Sequence, residues 1–170
     1  MIERAHQNQD QTSRAWYSSC EAYRYGLERR WSDGPSLLYV MLNPSTATEE
    51  RNDPTIERCQ RRAVALGFGA LRIANLFAFR ATKPQDLRKA KDPVGSDNDA
   101  LLMDWAEQSD MTLAAWGVHG ALLDRAAELA PRLPGDVRHL GLTRDGHPRH
   151  PLYVSYDTQP QAWPREARYP

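Results

Sequence analysis

The sequence is short of the residues that staple a chain together. It has two cysteines, Cys20 and Cys59, in 170 residues, and two at that spacing do not make a disulfide framework. It has no surplus of either charge: 22 Lys plus Arg balance 22 Asp plus Glu. That argues against a non-specific nucleic-acid binder, which shows a basic excess, and leaves only a local basic face open. No apolar run approaches the roughly 18 residues needed to cross a bilayer. The start, Met1-Ile2-Glu3-Arg4 and then polar residues, shows no signal peptide. A cytoplasmic protein with no membrane partner is expected.

Phosphate-cradling loops are also missing. Neither Gly-x-x-x-x-Gly-Lys-Ser/Thr nor Gly-x-Gly-x-x-Gly occurs, and Gly67-Phe68-Gly69 precedes a strand instead of following one. P-loop NTPases and dinucleotide-binding dehydrogenases are therefore disfavoured. His147 and His150 stand three apart, but no Cys or carboxylate pair has complementary ligand spacing. No metal and no cofactor are expected.

What is present is ordinary globular composition, 41% hydrophobic and 26% charged, in a length that suits a single domain over 1–170. Residues 1–14 are polar and read as a frayed lead-in, 15–156 as the core, and 157–170 as an extended tail. Within the core, Ala22–Trp31 alternates aromatics, as a strand does. Ser36–Leu42 is a nearly unbroken apolar run, as in a strand buried on both faces. Asp53 and Pro54 mark a helix start, Ile56, Cys59, Ala63 and Leu66 its apolar stripe, and Gly67 its end. Ala70–Phe77, Met111–Trp116 and Val137–Leu142 read as further strands. Helices are expected from Ser96 or Asp97 and from about His119 to Ala130. Strands alternating with helices predict an α/β fold: a three-layer α/β/α sandwich around a central, mostly parallel sheet of about four to five strands.

Ligands in such folds bind beyond the carboxyl ends of the strands. The segments there are Asn43-Pro44-Ser45-Thr46, Phe79–Pro84, Gly117–Gly120 and Thr143–Pro151. A Ser45 nucleophile with His150 as base is one reading, although no Gly-x-Ser-x-Gly elbow surrounds it.

Leu42-Asn43-Pro44-Ser45-Thr46-Ala47, Asn52-Asp53-Pro54-Thr55, Asn75-Leu76-Phe77-Ala78, Arg80-Ala81-Thr82, Asp92–Asn98, Ala115-Trp116-Gly117 and His150-Pro151-Leu152-Tyr153 form a set. Together, from about Tyr23 to Tyr153, they resemble the bacterial and phage family named domain of unknown function 1643. More distantly, Met41–Ser45, Arg80-Ala81-Thr82 and His150-Pro151 are similar to motifs of the uracil-DNA glycosylase superfamily, especially its mismatch-specific branch. That similarity implies a uracil-DNA-glycosylase-like sheet and hydrolysis of an N-glycosidic bond. It implies that Asn43 orients the attacking water, that His150 lies near the departing base, and that Trp116 and Gly117 border the pocket. Ser45 stands where those enzymes have glycine.

The residue types suit that chemistry. An Asn carbonyl can position a water, and a His can donate to a developing oxyanion. Asn75 offers a donor and an acceptor to a base edge. Phe77, Phe79 or Trp116 can stack on a base. Arg80, Lys83, Arg144 and Arg149 can hold phosphates. Pro44, Ser45, Thr46 and Tyr153 complete the expected substrate-binding set. The expected partner is a nucleic acid or nucleotide, and the alternative is a module that binds one without catalysis.

Overall fold

A computed structural model describes residues 1–168. The strands are β1 (Ile2–Gln7), β2 (Thr12–Tyr17), β3 (Arg24–Arg30), β4 (Ser36–Met41), β5 (Ala70–Asn75), β6 (Met111–Ala114), β7 (Val137–His139) and β8 (Gln161–Ala162). They form a single eight-stranded sheet in the order β1-β2-β3-β5-β4-β6-β7-β8. Neighbours run parallel at β5–β4, β4–β6 and β6–β7, and antiparallel at β1–β2, β2–β3, β3–β5 and β7–β8. The central, mostly parallel sheet of four to five strands, like that of a uracil-DNA glycosylase, is thus overturned in favour of a wider, mixed sheet.

The chain ends cause the difference. Residues 1–14, expected to fray, supply β1 and half of β2. All six side chains of β1 are exposed, so it carries no apolar alternation to betray a strand. The backbone ladder to β2 holds it. Its polar link is a turn: the Asn8 side-chain oxygen accepts from the N–H groups of Asp10 and Gln11. The tail supplies β8 and the buried Trp163; of that tail, 169–170 lie outside the described residues.

Each face of the sheet has its own apolar cluster. β4 serves both, with Leu37 and Tyr39 on one side and Leu38 and Val40 on the other, as its unbroken apolar run predicts. Helix α1 (Pro54–Ala65) covers the first face through Ile56, Cys59 and Ala63. Asp53 caps it by accepting from Ile56 N–H, with Pro54 in the first turn. Gly67, at φ +88°, ends it: Phe68 N–H donates to Ala63 O and Gly67 N–H to Val64 O, the paired bonds of a glycine C-terminal cap. Short α2 (Pro84–Lys89), α3 (Asn98–Gln108) and α4 (Arg125–Leu129) cover the other face. The helix expected over His119–Ala130 is broken. Val118–Asp124 is a kinked 3-10 segment with Leu123 and Asp124 at positive φ, and only five residues of α4 follow.

A bulge in β3 matters for the site. Ala15 pairs with Leu27 and Trp16 with Gly26, but Tyr17 pairs with Arg24. The extra residue shifts the alternation, so Arg24 joins Leu27 and Tyr17 on the α1 face. Re-aiming a side chain is what bulges beside sites do.

In the next rows of the same sheet, Arg14, Glu28 and Arg72 lie in register across β2, β3 and β5. Both guanidiniums bond the buried Glu28 carboxylate at 2.8 Å. Burial alone would raise its pKa, but the two arginines outweigh that and hold it below the ordinary value. Glu28→Gln strands Arg72 without its counter-charge. Because Arg14 is half exposed, the expected loss is about 2–3 kcal/mol, below the 3–5 kcal/mol of a fully buried pair. Urea unfolding at pH 7 measures it.

Candidate functional site

The loops after β4, β5 and β7 meet at a cleft of about 210 Å³ on the α1 face. Its floor is apolar, from Met41, Leu42 and Ile56, and its polar groups are Arg24, Asn43, Ser45, Asp53, Thr55, Thr82 and His150. The loop after β6 contributes from behind. Gly117 N–H donates to Pro148 O, and a Cβ added to Gly117 would lie 3.7 Å from that of His150.

Asn43 is fixed at its nitrogen. Nδ2 donates to Ala81 O at 2.8 Å and to Pro44 O at 3.0 Å. Two carbonyl acceptors demand the NH₂ end of the amide, which leaves Oδ1 as an acceptor with no donor among the described residues. The facing loop is held in turn. Ala81 N–H donates to Pro44 O, and upstream the buried Asn98 donates from Nδ2 to Asn75 O and Leu76 O.

His150 is fixed at Nδ1, which accepts from Leu152 N–H at 3.3 Å. Its proton therefore sits on Nε2, a donor. Burial pushes its pKa below the ordinary imidazole value, partly opposed by the charge of Asp53. His139 repeats the arrangement: Nδ1 accepts from Gly141 N–H, and burial lowers its pKa. The unfolded chain then binds more protons than the native one between the lowered native values and about 6.5. Stability should fall as pH drops through about 6.5, and level off below the native pKa values. Urea titrations at pH 7.5 and pH 5.5 measure the slope, and the His139→Asn, His150→Asn double variant should flatten it.

Asp53 holds the loop as well as the helix. Its second oxygen accepts from Ala47 N–H at 3.3 Å. No hydrogen bond joins Ser45 to His150 among the described residues, and the imidazole lone pair is taken by Leu152 N–H. That geometry does not make His150 a base for Ser45.

The remaining expected residues scatter. Pro44 is buried, its carbonyl used by Asn43 and Ala81. Thr46 and Arg80 line a neighbouring depression with Tyr17, where Arg80 stacks over the Tyr17 ring. Phe77 and Trp116 are sealed in the apolar cluster of the opposite face, so neither stacks on a ligand in the cleft. For Trp116 the cause is strand alternation: Ala115 belongs to the α1-side cluster, which turns its successor away. Phe79 packs edge-on against Tyr23. Tyr153 is 88% exposed. Lys83 and Arg144 are exposed, and Arg149 lies against Gly141. Asn75 follows Leu71 and Ile73 on the α1 face and pairs with Met41, buried with neither amide atom hydrogen-bonded.

The residue that the sequence does not announce is Arg24. It is 2% exposed, and burial pulls its pKa down to about 10. Desolvating an unpaired ion costs roughly several kcal/mol. In the sequence it is only a charged residue between Tyr23 and Tyr25, as an alternating half-exposed strand ordinarily has.

A family model described as "Protein of unknown function (DUF1643)" matches residues 24–152. The chain belongs to that family. The match begins at Arg24 and includes His150, so it spans every residue lining the cleft, while β1, β2 and β8 fall outside it. No curated protein and no solved structure matches the chain, and the similarity to uracil-DNA glycosylases is not confirmed. Among the described residues no three His, Cys, Asp or Glu side chains gather as a metal site. No described helix is long and apolar enough to cross a membrane.

Proposed function

We propose that the cleft receives the base–sugar junction of a nucleotide and that the protein hydrolyses its N-glycosidic bond. The observation that carries this reading is an anchored acceptor and an anchored donor lining one cleft: Asn43 Oδ1 and His150 Nε2–H. Asn43 would hold the attacking water. The water's oxygen bonds the anomeric carbon as the carbon–nitrogen bond breaks, the bonding pair leaves with the base, and the water's proton goes to solvent or base. His150 would donate to the negative charge gathering on the base. The Asp53 carboxylate, on the same wall, favours the positive charge gathering on the sugar. The cleft, about 210 Å³, is smaller than the roughly 300–1,000 Å³ of drug-sized pockets, so part of the ligand lies outside it.

A second reading, binding without turnover, is favoured by one observation. Asp53 is the only carboxylate lining the cleft among the described residues, and both its oxygens accept backbone N–H groups. It is not free to act as a base. A screen for base release from nucleosides, nucleotides and modified oligonucleotides separates the two. Release that is lost in Asn43→Ala supports hydrolysis. Saturable binding with no release by the parent supports the binding module.

A further inference from the structure

Buried arginines are frequent in this chain, and most are consumed as staples. Arg62 makes three hydrogen bonds to loop carbonyls and Arg168 makes three. Arg125 makes four, to Leu76 O and Asp99. Arg29 makes four and leaves only Nη1 unpaired.

Arg24 is different. It makes one bond, Nη1 to Ala47 O at 2.6 Å. Nε is shut off from solvent without an acceptor, and Nη2 bonds nothing among the described residues. No carboxylate pairs with it there. Nε and Nη2 form one edge of the guanidinium, the fork that binds an oxyanion through two parallel hydrogen bonds. The β3 bulge brings Arg24 to the cleft face, where it is one of the lining residues. A stapling arginine needs neither the bulge nor an empty fork.

We propose that Arg24 is the anion anchor of the cleft, and that the ligand presents a phosphate group to its Nε–Nη2 edge. This deepens the reading above, since it rests on the same cleft being a ligand site. It assigns a residue to the phosphate of the nucleotide proposed above. Burial disfavours the charge on Arg24; Tyr17 and Asp53 favour it, and Arg80 and Arg29 oppose them, so an incoming anion compensates the burial without displacing a salt-bridge partner. The balanced net charge fits one dedicated phosphate contact better than a long basic track.

Two measurements on the full chain test it. Thermal unfolding in inorganic phosphate, against chloride at equal ionic strength, should show a larger rise in the parent than in Arg24→Met, which keeps only the general stabilisation by an excluded salt. A nucleoside 5′-monophosphate should bind about tenfold or more tighter than its nucleoside, the scale of a charge-assisted fork, and Arg24→Met should bring that ratio near one. Should Arg24→Met not fold, Arg24→Lys keeps the charge without the fork and should bring the ratio well below the parent's. A rise no larger in the parent than in the variant that folds overturns the proposal, as does an undiminished ratio in that variant. A short oligonucleotide that outcompetes the monophosphate assigns the contact to a phosphodiester, and the reverse to a phosphate monoester. Phosphate-specific stabilisation without base release overturns the hydrolase alone. Base release from nucleosides without any Arg24-dependent phosphate effect overturns the anchor alone.

Discussion

An Asn43→Ala protein is expected to release base at least about 100-fold more slowly than the parent, while binding the ligand within about threefold. The size follows from the role. Losing the group that positions a reacting water costs on the order of 10²-fold even when nothing else moves. The spared binding follows from the floor of the cleft, which Met41, Leu42 and Ile56 supply and alanine leaves untouched. The substitution also removes the bonds from Nδ2 to Pro44 O and Ala81 O. A stability loss of about 1–2 kcal/mol should accompany it, to be read from urea unfolding. Single-turnover release assays and equilibrium binding measure the other two quantities. Affinity falling as far as the rate would mean that Asn43 holds the ligand rather than the water, and would favour the binding module.

The same residue shows what the sequence makes legible. The loops that carry Asn43, Ser45 and His150 are legible by position, because loops leaving the carboxyl ends of parallel strands must share one edge; the roles of Asn43 and His150 come only from the resemblance. The parallel run β5-β4-β6-β7 obeys that rule, and the three residues do line one cleft. Helix α1 was equally readable, since Asp53, Pro54 and Gly67 each state a local backbone requirement. What escaped has no local signature. β1 has no buried side chain, so nothing in its residue pattern separates it from a loop. β8 is two residues long. Arg24 was hidden twice, by its solvent-loving side chain and by a bulge that reverses the face it occupies. Phe77 and Trp116 were chosen for their rings, yet which face of a sheet a ring takes depends on register.

Trp105→Ala is expected to cost about 3–5 kcal/mol, the range for a buried tryptophan, or about 10 °C in Tm for a chain of this size. Trp105, on α3, ties β2 of the N-terminal hairpin to the helical layer on its face of the sheet. Its ring takes Trp16 of β2 edge-on at 5.1 Å between centroids, and Arg72 of β5 lies over it at 5.2 Å. Between them the ring rests on Gly26 of β3, where an added Cβ would fall 2.5 Å from Cη2. Gly26→Ala alone should therefore cost about 1–3 kcal/mol by overpacking. With the indole removed, the added methyl has room, and Gly26→Ala should cost nothing or regain part of the loss. The double-mutant cycle should show a coupling of about 1–3 kcal/mol. Additive costs would mean that the ring does not bear on Gly26. Hydrogen exchange gives the second readout: in Trp105→Ala the amides paired between β1 and β2 should lose protection before those of β4 and β5. The hairpin lies outside the stretch that defines the family, and Trp105 inside it, so the core would keep its fold while the added edge loosens.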